Sequence, residues 1–178
     1  MRNQYDHADV GRMVEHLAQA IAAEFPPSKP LNIIGIRTRG EVLAARIASM
    51  LSASGYAHLG RGVLDITLYR DDLSEIGPRP LVRPTQLEIE LDDKPAVVVD
   101  DVVFTGRSVR AALDLLADFG RPSVVRLAVL VDRAGRELPI QPDYAGLKLS
   151  VVPRTHRVNV RLKETDGVDE IVVEPGER

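Results

Sequence analysis

Apolar residues recur along this chain with two different periods, and the switching between them predicts an α/β fold. Val10, Met13, Val14, Leu17, Ala18, Ile21 and Ala22 follow helical spacing and form one stripe of an amphipathic helix. "FPPSKP" then stops that helix, because proline has no amide hydrogen to donate and its ring clashes with the preceding turn. "LNIIGI" is a short, unbroken apolar run of the buried-strand kind. Beyond "RTRG", Leu43, Ile47, Met50 and Leu51 restore the helical period. "GVLDITLYR" is rich in β-branched residues and reads as a second strand. "QLEIEL" alternates strictly, with Leu87, Ile89 and Leu91 on one face of a predicted strand. "AVVVD" is a further strand, followed by a helix stripe of Val109, Ala112, Leu113, Leu116 and Ala117 that Gly120 and Pro122 end. "SVVRLAVLVD" is another buried strand, and the short runs "RVNVRL" and "DEIVV" follow near the C-terminus.

Strands that are apolar throughout, alternating with helices, are buried on both faces. That predicts a mostly parallel, twisted sheet flanked by helices. With 178 residues, the length suits one domain spanning 1–178. The stretch from Asp71 to about Thr85 breaks the pattern with charges, Gly77 and three prolines, Pro78, Pro80 and Pro84. It reads as a long surface loop, and loops of that length are commonly functional.

Composition narrows the picture a little. Hydrophobic residues make up 44% and charged residues 28%, ordinary values for a globular protein. The absence of cysteine excludes disulfides and thiolate metal sites and fits a reducing compartment. No apolar run approaches membrane-spanning length and the N-terminus has no signal-like core, so a cytoplasmic location is expected. A net charge of −3 supplies no general attraction for nucleic acid, although a local basic face could.

The chemistry concentrates in "VVVDDVVFTGRSV". Three valines, Val97 to Val99, deliver Asp100 and Asp101, side by side, to the carboxyl end of a strand, where ligands bind in open α/β sheets. Adjacent carboxylates repel unless a ligand or cation offsets them. A few residues on, Thr105, Gly106, Arg107 and Ser108 lead into a helix whose free amides and dipole favour an anion. A diol acceptor and a monophosphate cradle so spaced describe a ribose 5-phosphate. Other readings fail on detail. A haloacid-dehalogenase-type phosphatase needs a second Asp two positions after the first, where Val102 or Val103 stands. The Gly35–Gly40 spacing suits a P-loop, but Glu41 and Val42 follow where Lys and Ser/Thr are required. A second cluster, "GIRTRG", places Arg37, Thr38 and Arg39 between glycines at another strand end, as an oligophosphate site would need. "LYRDDL" is a third candidate, a segment able to close over the site. His7, His16, His58 and His156 show no metal-ligand spacing and read as surface or structural residues.

Taken together, these residues resemble the type I phosphoribosyltransferases, most closely the PyrR family of pyrimidine operon attenuation regulators. The resemblance rests on "GIRTRG", "LDITLYRDDL", "VVVDDVVFTGRSVRAALD", "FGRP" and "LAVLVDRAGRELPI", spread from about Leu31 to Tyr144. It implies a phosphoribosyltransferase-like sheet with a small hood region, and Mg²⁺-dependent transfer of ribose 5-phosphate from phosphoribosyl pyrophosphate (PRPP) to uracil, giving UMP. By the same resemblance Asp100, Asp101 and Arg39 are the catalytic residues. PRPP would be held by Thr38, Arg39, Gly40 and the run Asp100, Asp101, Val102, Val103, Phe104, Thr105, Gly106, Arg107, Ser108. Mg²⁺ would arrive with PRPP and meet Asp100 and Asp101. Tyr69, Arg70, Asp71 and Asp72 would begin a mobile loop over about 69–86, while Val131, Asp132 and Arg133 would lie near the base.

The family also implies binding to the leader of a pyrimidine operon mRNA and assembly into dimers or higher homo-oligomers. For RNA, Arg136 is the candidate contact. Elsewhere the sequence departs from the family: Gln141 stands where Arg is expected, and "GLKLSVVPRTH" replaces a Lys-Asn-containing run. Glu15 and Gln19 occupy helix positions where polar or basic RNA contacts are expected. Fewer cations weaken phosphate binding. The alternatives that stay open are an RNA-binding nucleotide sensor with vestigial catalysis, and a phosphoribosyltransferase for another base.

Overall fold

The computed structural model describes residues 3–67 and 85–176. Its chain order is β1 (Gln4–Tyr5), α1 (His7–Glu24), β2 (Leu31–Ile36), α2 (Arg39–Ala53), β3 (Leu59–Leu64), β4 (Pro95–Val103), α3 (Arg107–Ala117), β5 (Val124–Arg133), β6 (Tyr144–Leu149), β7 (His156–Arg161), α4 (Lys163–Asp166) and β8 (Glu170–Pro175). Five strands form a parallel sheet in the order β3-β2-β4-β5-β6. The two chain ends supply a separate antiparallel sheet, β1-β8-β7, which with α4 makes a small hood region.

Strand periodicity explains why the parallel strands are apolar throughout. Successive side chains point to opposite faces. Leu31 and Ile33 of β2 and Val97 and Val99 of β4 therefore enter one core, with Val14, Leu17 and Ile21 of α1 and Leu43, Ile47 and Leu51 of α2. Ile34 and Ile36 of β2 and Ala96 and Val98 of β4 enter the other, with Val109, Ala112, Leu115 and Leu116 of α3. Helix α1 starts at a reciprocal cap in which the Asp9 amide donates to Asp6 Oδ1 (3.0 Å) and the Asp6 amide to Asp9 Oδ2 (3.2 Å).

The structure corrects several sequence expectations. The stripe of α3 is rotated by about one position: Ala111 and Leu115 are buried, whereas Leu113 and Ala117 face out. Met50 also lies off the buried face of α2. "QLEIEL" alternates in burial but is not a strand, since one isolated bridge, Gln86 to Val63, is its only ladder contact among the described residues. Its side chains instead lie over the glycines of β3, where a Cβ on Gly60 or Gly62 would meet Ile89 at 3.4 Å. "GVLDITLYR" stops as a strand at Leu64. Strand β6 was not anticipated.

Candidate functional site

Strand order reverses between β2 and β4, so the loops after these neighbours leave toward opposite faces: α2 packs on one side of the sheet and α3 on the other. A crevice at such a switch point is the usual ligand position in open α/β sheets. Here a cavity of about 480 Å³ opens at that point, lined by Ile36, Arg37, Thr38, Asp65, Ile66, Thr67, Asp100, Asp101, Val102 and Ser108. The ends of β2, β3 and β4 thus meet at one site.

The acidic pair sits on the floor of that crevice. Val97, Val98 and Val99 anchor β4 in both cores, and Asp100 beyond them is 7% exposed. Each carboxylate is fixed by the next backbone amide: Asp101 N–H donates to Asp100 Oδ1, and Val102 N–H to Asp101 Oδ1, both at 2.9 Å. Asp65, just past the end of β3, is a third carboxylate of the crevice and like Asp100 is buried, accepting from the Thr67 amide at 3.0 Å and from the Thr67 hydroxyl.

Beside the acidic pair, the β4–α3 turn makes a smaller hollow of about 170 Å³, lined by Val102, Val103, Phe104, Thr105, Gly106, Ser108 and Val109. Gly106 precedes α3 with φ = 94°, a conformation that favours glycine and turns the first amides of the helix toward the hollow. The Arg107 amide lies 3.3 Å from Thr105 Oγ1. The Arg107 side chain leaves the hollow and meets Glu137 at 3.1 Å, so it serves the turn through its backbone. Val103 points into the core.

A loop from β5 braces this turn. The amides of Glu137 and Leu138 donate to Thr105 O at 3.0 and 3.1 Å. Arg136 donates to the carbonyls of Ile140 (2.7 Å), Phe104 (2.8 Å), Arg133 (2.8 Å) and Val103 (3.3 Å), and to the Asp132 carboxylate. This differs from an RNA contact on an open surface, because the guanidinium is committed inward. Arg133 is buried, stacks 3.9 Å from the Phe104 ring centroid and donates to Pro153 O at 3.0 Å. Its Nε has no hydrogen-bond partner among the described residues, and burial pushes its pKa down. Val131 is wholly buried, so near a base it could act only through its backbone.

The β2–α2 turn forms the other wall and contains a cis peptide between Arg37 and Thr38. It lies tight against the sheet: a Cβ on Gly35 would stand 2.5 Å from Gly40 O, and one on Gly40 would stand 3.2 Å from Asp100 Cα. Arg39, the first residue of α2, binds Asp166 of α4 through two bonds, Nε to Oδ2 at 3.1 Å and Nη2 to Oδ1 at 2.8 Å. The Arg39 pKa is raised, chiefly by this hydrogen bonding and further by the field of Asp101, against the opposing effect of burial.

The sequence-chosen residues Thr38, Asp100, Asp101, Val102 and Ser108 therefore line one crevice, and Gly40 packs against its floor. Tyr69, Arg70, Asp71 and Asp72 lie outside the described residues. Arg37, named at the sequence level with Thr38 and Arg39, also lines the crevice, whereas sequence reasoning did not assign Asp65, Ile66 and Thr67 to it, nor Asp166 to Arg39. A carboxylate inside the β-branched run "LDIT" was the one signal for Asp65.

Residues 2–161 match the phosphoribosyl transferase domain. A protein of Deinococcus radiodurans named bifunctional protein PyrR is 49% identical over 161 residues, covering 90% of this chain and 87% of its own length. A protein of the same name from Desulfosudis oleivorans is 48% identical over 169 residues, covering 94% and 93%. Among solved structures, the hypoxanthine phosphoribosyltransferase of Trypanosoma cruzi superposes with a TM-score of 0.71 at 18% identity, over 99% of this chain and 98% of its own; this likeness shows the fold. With the acidic pair, the Thr-Gly turn and nearly the whole chain aligned at such identity, the chain belongs to the PyrR family of phosphoribosyltransferases.

Proposed function

We propose that the protein transfers ribose 5-phosphate from PRPP to N1 of uracil, releasing pyrophosphate and forming UMP, and that it also regulates pyrimidine operons by binding their leader mRNA. The observation that carries the catalytic reading is the meeting, in one crevice, of the Asp100–Asp101 pair with the Thr38 turn on one side and the Ser108 turn on the other. In this reading the 5-phosphate takes the amides and hydroxyls of Thr105 to Ser108 at the start of α3. The ribose hydroxyls donate to Asp100 and Asp101, whose carboxylates are already oriented by the amides of Asp101 and Val102. The pyrophosphate lies on the Thr38–Gly40 turn. Breaking the bond from C1′ to pyrophosphate while N1 approaches leaves positive charge on the ribose, which the adjacent carboxylates stabilise. Positioning of both reactants supplies much of the remaining acceleration.

The donor set suits magnesium. Mg²⁺ takes one or two carboxylates and completes its shell with substrate oxygens and water, and Asp100 and Asp101 supply that carboxylate pair at the crevice floor. Bound there with PRPP, it would neutralise charge on the departing pyrophosphate. A base beyond C1′ would be flanked by the β5 end, Asp132 and Arg133. Regulation rests on kinship with proteins whose name is bifunctional, and in this reading the inward-turned Arg136 guanidinium braces the β4–α3 turn.

The test is to incubate the protein with PRPP and Mg²⁺ and with uracil, hypoxanthine or guanine in parallel. UMP formation with uracil is expected; its absence removes the reading, and turnover of a purine alone replaces it. For regulation, affinity for a pyrimidine-operon leader RNA should rise with UMP. Binding indifferent to both RNA sequence and UMP would remove that half.

A further inference from the structure

We infer that Asp166, in the hood region and far along the chain from the crevice, is a positioning residue for the pyrophosphate end of the substrate, acting through Arg39. This rests on the reading that the Thr38–Gly40 turn receives pyrophosphate. The carboxylate is itself held firmly. Its Oδ2 accepts from the Leu162 amide at 2.9 Å and from the Thr165 hydroxyl at 2.7 Å, while the pair of bonds to Arg39 spans both oxygens. These donors, Arg39 foremost and then Thr165 and the Leu162 amide, hold the Asp166 carboxyl well below the ordinary carboxylate range, so it is an anion at any working pH.

The geometry of the pair defines its role. A bidentate carboxylate fixes the plane of a guanidinium as well as its location. Asp166 takes the edge formed by Nε and Nη2; Nη1 makes no hydrogen bond among the described residues. Arg39 also feels the field of Asp101 on the crevice floor. Arg39 opens α2, and the preceding turn has no side-chain cap from Thr38. The tie of Arg39 to Asp166 and the close packing of Gly40 on Val99 and Asp100 therefore both fix the α2 end of the turn. Farther along the same helix, Arg46 grips Glu164 at the start of α4 and Asp169 just beyond it, which holds the hood against α2 and keeps Asp166 in place. A fixed acceptor that leaves one edge of the cation uncovered orients it for a second anion.

Calorimetric titration of the full chain with PRPP plus Mg²⁺, with pyrophosphate plus Mg²⁺ and with UMP distinguishes this role from a structural one, because UMP has no pyrophosphate. Asp166→Asn is expected to weaken PRPP and pyrophosphate about tenfold and to leave UMP within about twofold. In the Arg39→Ala background the same change should add nothing. Loss of UMP affinity in parallel with PRPP, or tighter PRPP binding, overturns the inference. If Asp166→Asn does not fold, Thr165→Ala, which removes one tether of the carboxylate, decides: about a threefold loss for PRPP supports the role and none opposes it. Unchanged PRPP affinity in Arg39→Ala would instead strike the pyrophosphate reading itself. Arg39→Ala weakened beside an unaffected Asp166→Asn would strike only the positioning.

Discussion

Gly35→Ala offers a sharp test of how tightly the crevice depends on packing behind it. Gly35 lies in β2 with an ordinary strand backbone, so an added methyl creates no conformational strain of its own. Its Cβ would stand 2.5 Å from Glu41 Cα and Gly40 O and 2.6 Å from Glu41 N, all backbone atoms of the first turn of α2. Ordinary contact begins near 3.4 Å, so that turn must move away by about 0.9 Å (3.4 − 2.5). Overpacking of this kind costs roughly 1–3 kcal/mol. For a chain of this length, each kcal/mol lowers the melting temperature by about 2–4 °C. The displaced turn carries Thr38, Arg39 and Gly40, and an ångström of misplacement can cost about 10²-fold in rate. Gly11→Ala is the matched control: the same methyl on the exposed face of α1 meets nothing within 4 Å. It should stabilise by about 0.5–1 kcal/mol, as Ala replaces Gly inside a helix. Thermal melts give stability, and initial rates of UMP formation at varied PRPP give kcat/KM. A Gly35→Ala protein that melts lower but keeps kcat/KM within about threefold would refute the coupling between the β2 packing and the substrate turn.

The other predictions concern separate links. Asp101→Asn should lower turnover by about 10²–10³-fold, the scale for loss of one preorganised electrostatic group, with an unchanged melting curve; wild-type rates would contradict the ribose role. Arg136→Leu strips donors from four carbonyls and from Asp132 and should cost about 3 kcal/mol. Because that guanidinium faces inward, RNA affinity of the folded variant should stay within about threefold, and a larger selective loss would restore Arg136 as an RNA contact. Asp169 is 5% exposed, and burial pushes its pKa up. Hydrogen bonds from Arg46, the Lys163 amide and His7 outweigh that and leave it below the ordinary value. Its stabilisation is then complete above the unfolded pKa of about 4 and is lost as pH falls through the lower folded value. Asp169→Asn should cost about 2–3 kcal/mol at neutral pH, since Arg46 keeps Glu164, and the gap to wild type should close in acid; a constant gap would refute the linkage.

Why the crevice was legible in the sequence while its supports were not follows from where each signal resides. The acidic pair and the Thr-Gly-Arg-Ser run act through local geometry, a strand end and a helix start, and both features are written in consecutive residues. The same holds for β2, β4 and β5, whose unbroken apolar runs reflect burial on both faces. The setting of Arg136 was not legible for the opposite reason: nothing in "DRAGREL" tells that its guanidinium turns inward to carbonyls of another loop, some thirty residues back in the chain. "QLEIEL" carried a true alternation of burial, yet a strand needs a partner. The glycines of β3 invited its side chains to lie flat over them, and among the described residues only the Val63–Gln86 bridge formed. The pairing of Arg39 with Asp166 spans 127 residues and joins the parallel sheet to the hood. No periodicity encodes such a contact. The residues that define the chemistry are local and readable, whereas those that hold them in register come from distant segments, and it is there that substitutions will separate binding of PRPP from binding of UMP.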